Sequence, residues 1–397
     1  MRRFLALPAG SLGGNKPLTC GFLTNINFCS KTIFALNVAI HWHTAPIAAS
    51  PLPNGLQWPS DAGDSDATSP REKIMAYLLG YGTAVEWLRH NTNTALLSER
   101  YALPPLSIEA SHTKLQRHAQ AIMDLTRPLH LVVSMRDSRR PSSITKCHLF
   151  APSSFTFNAV RMDRGIFCCG PELAFVQMGN LLDEERLLML GMELCGRYGI
   201  SPAGTLFERE QTCTPEVLRQ TAMELGRVRG KRKALLVAPR VLAGAASPME
   251  AALALMLHEP PDRGGFGLRA PELNHPIPVE GTARKYWDFD TITPDLLWND
   301  ERVAIEYDSD AHHLASARIA QDALRRDVLA ELGYRVITVT SKHMNAPRQI
   351  ERVASIVASS IGQALEPISD EQWTARVAYQ TRLRRYATNP TELLGFS

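Results

Sequence analysis

The stretch PDLLWNDERVAIEYDSDAHHLASARIAQDALRRDVLAELGYRVITVT, residues 294–340, reads as strand, tight turn, strand, helix, strand. In Arg302–Asp308, Val303, Ile305 and Tyr307 alternate with Ala304, Glu306 and Asp308, and a period of two places Glu306 and Asp308 on one face. The run Pro294–Trp298 joins this strand through Asn299–Arg302. A two-residue loop centred on Asp300 and Glu301 pairs Asn299 with Arg302, and hence Asp295 with Glu306. In that register the two β-carbons lie about 5 Å apart, and like charges directly opposite on a sheet repel. A hard divalent cation relieves the repulsion, because Mg²⁺ favours carboxylate oxygens and keeps waters, one of which can become a nucleophile. Solvation of these acids on an exposed sheet face is the alternative that spacing leaves open.

Pro294-Asp295, ten residues, then Glu306-x-Asp308 resembles the metal-binding core of the PD-(D/E)XK nuclease superfamily. The closer likeness is to its very-short-patch-repair-like branch. There an Asp-hydrophobic-hydrophobic-Trp strand leads to Ile-Glu-x-Asp, a nearby His and a later Asp-x-x-Arg. The matching residues are Asp295-Leu296-Leu297-Trp298, Ile305-Glu306-Tyr307-Asp308, His312 or His313, and Asp322-Ala323-Leu324-Arg325. Leu332–Ile337 matches as well, as a helix stop at Gly333 followed by a β-branched strand.

This resemblance implies an α/β fold with a C-terminal restriction-endonuclease-like mixed sheet flanked by helices, and metal-dependent hydrolysis of DNA phosphodiesters. It assigns Asp295, Glu306 and Asp308 to Mg²⁺, with Mn²⁺ as the alternative ion. His312 or His313 becomes a general base or hydrogen-bond donor, against the plain reading of a polar loop residue. Arg325 becomes a phosphate contact held by Asp322, against the plain reading of a helix-surface ion pair. The chain departs from the superfamily pattern where Asp308 replaces the usual Lys, although the resembled branch lacks that Lys too. A nuclease fold that has lost catalysis and serves as a DNA-binding regulator or antitoxin is therefore the rival expectation.

The 397 residues allow two or three domains. A composition 45% hydrophobic and 21% charged, with a net charge of +3, is that of a soluble globular protein and neither demands nor excludes nucleic acid. Seven cysteines form no C-x-x-C pair, which argues against a zinc site or a disulfide framework. No apolar run approaches ~18 residues, so no membrane span is expected. In MRRFLALPAGSLGG, Pro8 and Gly10 break the apolar run that follows the arginines, which separates it from a signal peptide and leads to the expectation of a cytoplasmic protein.

Upstream, residues 1–70 read as a loosely ordered segment ending in the polar linker Ser60–Ser69, and His41-Trp42-His43 lacks a third ligand in view. Residues 71–240 read as a mixed α+β regulatory or DNA-contacting region. Ile74, Tyr77, Leu78 and Tyr81 fall at helical spacing, Thr83–Leu88 continues as a helix, and Thr113–Leu125 predicts another. Leu129–Met135, Thr145–Phe150 and Phe155–Arg161 read as strands. Helices are expected after Gly170-Pro171 and within Asp183–Tyr198 and Pro215–Leu225. This layout resembles, through short motifs, the central part of AbiEi-like abortive-infection regulators. That likeness implies a regulatory role and admits a toxin partner or a homodimer.

Arg227–Lys233 concentrates five positive charges, and Arg229, Lys231 and Arg232 form either a solvated linker or a phosphate-contacting loop. Residues 241–366 form the nuclease-like region. It opens on Ser247-Pro248-Met249-Glu250, a capping box ahead of an apolar helix, which explains Glu250 fully. In the resembled branch the acid of Ser-x-x-Glu lies beside the metal cluster, which gives Glu250 a second reading as a catalytic or supporting group. Gly264-Gly265-Phe266-Gly267 reads as a turn, and Tyr286–Thr291 as a first strand. Arg326 and Lys342 complete the candidate DNA contacts. Residues 367–397 form a basic helical tail, expected to pack on the protein with a solvated arginine face.

Overall fold

The computed structural model describes residues 76–103, 115, 122–150, 157–308 and 316–394. The expected N-terminal segment 1–70, His312, His313 and most of the helix expected at 113–125 lie outside the described residues.

Tyr77–Leu79 (β1) is a strand at the centre of the first sheet, where helical spacing predicts a helix. Its residues are buried on both faces, Leu78 in one apolar cluster and Tyr77 and Leu79 in another. A continuous apolar run of this kind carries no period, so burial decides between strand and helix. The helix α1 starts only at Tyr81 and runs Tyr81–His90. Gly80 between them is required by crowding: a Cβ there would lie 2.4 Å from the Val132 side chain and 2.7 Å from Gln177 Oε1. Tyr81 takes φ 52°, an uncommon left-handed conformation for a side-chain-bearing residue, and its N–H donates to Gln177 Oε1 at 2.8 Å.

Around β1 stand β2 (Tyr101–Leu103), β3 (Leu129–Val133), β4 (Thr145–Leu149), β5 (Phe157–Asp163) and β6 (Ile166–Cys169), in the order β2-β5-β6-β1-β3-β4. The strand β1 is parallel to β6 and antiparallel to β3. Between β1 and β2 lies the short helix α2 (Thr94–Ser98); after β6 come α3 (Pro171–Met178) and α4 (Glu184–Leu194). The two-stranded β7 (Tyr198–Ile200) and β8 (Leu206–Glu208) follow, then α5 (Pro215–Glu224) and α6 (Lys231–Val237). Cys147, Cys168, Cys169, Cys195 and Cys213 are free and buried, behaving as small apolar residues.

The helix α7 (Pro248–His258) is apolar on every side and buried throughout its centre. It packs against α4 and against the tail helix α11 (Asp370–Thr388). Next come the short strands β9 (Glu272–Leu273), β10 (Ile277–Pro278) and β11 (Thr291–Ile292); where Tyr286–Thr291 predicts a strand, residues 286–290 are turn and loop after a 3₁₀ turn at Gly281–Lys285, and the strand starts only at Thr291. The hairpin β12 (Leu296–Trp298) and β13 (Val303–Asp308) joins β14 (Arg335–Thr340) and β9 in a four-stranded mixed sheet, order β14-β13-β12-β9. Between β13 and β14 runs α8 (Ser316–Glu331), followed after β14 by α9 (Ser341–Met344) and α10 (Pro347–Ser360). The protein is thus α/β, with the expected small mixed sheet flanked by helices.

One face of this sheet, carrying Leu296, Trp298, Val303, Ile305 and Val339, belongs to the same apolar core as Leu78, Leu255, Val357 and Leu383. That core crosses residues 240 and 241 without interruption. The other face, with Leu297 and Ala304, packs on Val328 and Leu329 of α8 and on Trp287. Among the described residues, no helix is long and apolar enough to cross a membrane.

Candidate functional site

The hairpin has the register expected from its turn. Leu296 pairs with Ile305, Leu297 with Ala304 and Trp298 with Val303, a register that, extended by one residue, sets Asp295 opposite Glu306. The four residues Asn299–Arg302 close it through Arg302 N–H to Asn299 C=O at 3.1 Å, with Arg302 at φ 53°. A turn of this type followed by a left-handed residue is a common four-residue hairpin closure. Arg302 is held there by Nη1 donating to Leu332 C=O at 2.8 Å. Because Leu297 and Ala304 face α8, the period of two sends Asp295, Glu306 and Asp308 to the same side.

Asp295 is 2% exposed. Its Oδ2 accepts from Tyr307 N–H at 2.6 Å, so the backbone of the opposite strand fixes the carboxylate. Its Oδ1 is buried and has no hydrogen-bond partner among the described residues. A buried carboxylate oxygen left in this condition costs on the order of 1–3 kcal/mol or more. It marks a place where a positive group would be stabilising.

Glu306 has such a group. Arg325 Nη2 donates to Glu306 Oε1 at 3.0 Å and Oε2 at 3.3 Å, and to the Thr293 carbonyl at 2.8 Å. The two side chains are 16% and 14% exposed. On α8, Arg325 follows Leu324 and precedes Val328 and Leu329 by one turn, so the apolar stripe on the sheet delivers its stem to the acidic end of the hairpin. The guanidinium engages Glu306 across 19 residues, whereas the sequence offered Asp322 one turn away as its partner; Asp322 is exposed.

Glu250 reaches the same neighbourhood from α7. Ser247 Oγ accepts from Glu250 N–H at 3.2 Å, the N-cap half of the expected box. The Glu250 carboxylate turns elsewhere: Oε2 accepts from Ala246 N–H at 2.9 Å and from Asn274 Nδ2 at 2.6 Å. Asn274, at φ 49°, also donates its own N–H to the Asp295 carbonyl at 3.0 Å. Glu250 is therefore connected to Asp295 through one asparagine. Sequence reading passed over Asn274, although Asn ahead of His275-Pro276 is a turn signal and Asn tolerates the left-handed region.

The remaining candidates disperse. Asp308 is half-buried at the end of β13, paired in register with Thr340. Lys342 is exposed on α9, whose N-terminus is capped by Thr340 and by His343 Nδ1, 3.1 Å from Thr340 N. Arg326 is half-buried beside Arg325 on α8. Arg229 and Arg232 are exposed and, with Arg227, Lys231 and Leu236, line a shallow depression at the start of α6. Lys231 Nζ donates to the Met223 carbonyl at 3.0 Å and to that of Leu225, closing the C-terminal end of α5. Among the described residues, no three His, Cys, Asp or Glu side chains gather as a metal cage. What the fold brings together is the facing pair Asp295 and Glu306, with Arg325, Asn274 and Glu250 around it.

A second polar cluster, on the first sheet, was not read from the sequence. Tyr81 stacks on His148 with ring centroids 3.9 Å apart, and His130 lies 4.8 Å from His148. Burial, then the charge of Lys146, lowers the His130 pKa to about 4. Burial, then His130, Lys146 and Arg139, lowers that of His148 to about 3. Both rings are neutral at physiological pH. Burial pushes the Tyr81 hydroxyl up to about 12.

Compared with known proteins, this chain matches no family model, no curated protein and no solved structure.

Proposed function

We propose that the protein is a metal-dependent endonuclease that hydrolyses DNA phosphodiester bonds at the β12–β13 hairpin, acting in the cytoplasm. The observation that carries this reading is Asp295, which the hairpin register sets opposite Glu306, with its Oδ1 buried and without a hydrogen-bond partner among the described residues. The donor set fits a hard divalent cation, since both groups offer carboxylate oxygens, and Mg²⁺ or Mn²⁺ is the ion class they suit. Asp295 and Glu306 would hold it, with Asp308 next along β13 on the same face. Such an ion supplies Lewis-acid activation of a water and of the phosphate. Tyr307 N–H fixes the Asp295 carboxylate, and Asn274 couples the Glu250 carboxylate to the Asp295 backbone, so Asp295 is held by neutral donors, whereas Glu306 is held by Arg325. His312 or His313 keeps the role of general base or hydrogen-bond donor that the resemblance implies.

The test is nicking of supercoiled plasmid with Mg²⁺ or Mn²⁺ by the wild type, Asp295→Asn and Glu306→Gln. Metal-dependent nicking that falls about 100-fold or more in both variants is the expected result, as for the loss of several kcal/mol of transition-state stabilisation. Nicking that survives both substitutions sinks this centre.

The Glu306–Arg325 ion pair favours a second reading, since a guanidinium already neutralises one of the two acids. With Asp308 standing where the superfamily has Lys, the chain would then be a catalytically inactive DNA-binding regulator or antitoxin, with a toxin or a second copy as partner. A folded wild type that binds DNA in a salt-dependent manner and never nicks it selects this reading.

A further inference from the structure

The two acids of the hairpin are held in opposite ways. Asp295 is anchored by a neutral backbone donor, Tyr307 N–H, and keeps one oxygen uncommitted among the described residues. Glu306 is held by a full positive charge, through one guanidinium nitrogen that also binds the Thr293 carbonyl. Thr293 lies two residues ahead of Asp295, so Arg325 ties α8 to both strands of the hairpin at its acidic end. The backbone of α8 is fixed by Val328 and Leu329 in the core under the sheet. The arginine stem reaches the hairpin over several rotatable bonds, which give it rotamer freedom that a short side chain lacks.

A divalent cation and a guanidinium in contact with one carboxylate repel each other strongly in a half-buried setting. The two therefore compete for Glu306, both of whose oxygens face the guanidinium. We propose that Arg325 is a latch on the candidate metal centre: it occupies Glu306 in the metal-free protein and must release that carboxylate before a divalent cation is bound between Asp295 and Glu306. The Thr293 carbonyl is the resting partner that keeps the released guanidinium beside the site. The latch keeps the acid pair neutralised without metal and weakens metal binding by the strength of the ion pair it breaks. The inference rests on the nuclease reading of the hairpin.

The experiment is calorimetric titration of Mn²⁺ into the full-length protein without nucleic acid, comparing the wild type with Arg325→Gln, Asp295→Asn and the double variant, each checked for folding by circular dichroism. Arg325→Gln is expected to bind Mn²⁺ on the order of tenfold more tightly than the wild type, within the usual range of coupling between two competing interactions. Asp295→Asn should abolish binding in both backgrounds. Equal affinity of wild type and Arg325→Gln, with binding still lost in Asp295→Asn, overturns the latch and leaves the metal centre standing. No Mn²⁺ binding in any variant, or binding that survives Asp295→Asn, overturns the centre and the latch with it. Should Arg325→Gln fail to fold, Arg325→Lys keeps the charge on a shorter side chain, without the planar guanidinium whose Nη2 bonds both Glu306 and Thr293. It is expected to bind Mn²⁺ severalfold more tightly than the wild type, and no gain overturns the latch.

Discussion

Asp295 and Glu306 show how little a residue's type says about its condition. Both are acids on one face of one hairpin, yet one is 2% exposed and backbone-anchored while the other shares its charge with Arg325. The histidines of the first sheet make the same point through pH. In the unfolded chain His130 and His148 titrate near ~6.5; in the folded protein burial holds them neutral down to about 4 and about 3. Between those limits the unfolded chain binds more protons, so acidification favours unfolding. Stability from these groups is complete above pH ~6.5 and is lost as the pH falls through the folded values. Melting temperatures measured from pH 7 to pH 4 should therefore decline. His148→Phe, which keeps a ring against Tyr81 and removes one titration, should decline less steeply; a slope identical to the wild type would contradict the assignment.

Among the elements, α7 and the hairpin are specified most locally. The helix begins at an N-cap serine with proline next, and both features act within one turn. The Glu250 carboxylate then links this helix to the Asn274 loop and so to β12. Glu250→Ala leaves Ala246 N–H and Asn274 Nδ2 without their acceptor. It should lower the unfolding free energy by about 2–3 kcal/mol, read as a shift in urea midpoint at constant slope. A loss below about 0.5 kcal/mol, the ordinary range of a surface substitution, would show that the link carries no stability. The strand β1 behaves differently: nothing in Tyr77–Leu79 selects strand over helix until β6 and β3 cover its two edges.

Across the whole molecule, one apolar core joins the first sheet to the second. The helix α7 is enclosed by α4 and α11, and Arg382 of α11 forms two hydrogen bonds to Glu185 at 2.6 and 2.7 Å. Arg376 is buried, stacked on Phe266 and bonded to the Gly265 carbonyl at 2.8 Å. Arg384 donates to the Met344 carbonyl at 3.2 Å and Arg385 pairs with Glu392 at 3.0 Å. The tail thus packs on the protein as expected, and all four of its arginines make internal contacts in place of a wholly solvated face. Residues 241–366 alone would expose the faces of α7 that α4 and α11 cover. Expressed alone, that fragment should show no cooperative thermal transition; a sharp, reversible transition would establish it as an autonomous domain.

Much of the second sheet was legible because its signals are short-range. Alternation in Val303–Asp308, the turn at Asn299–Arg302 and the glycine stop at Gly333 each act over a few residues, and together they set the hairpin register and the face that carries the acids. The same holds for the start of α7. Three features were beyond such reading. Tyr77–Leu79 became a strand because of what covers it, Arg325 chose Glu306 over Asp322 because α8 packs across the sheet, and Asp295 became buried because Asn274 and Tyr307 close around it. The sequence by itself determined which residues share a face, since that follows from backbone geometry within one element. Only the tertiary structure decided which charges meet and how deeply they are buried, because those depend on surfaces brought together from distant parts of the chain.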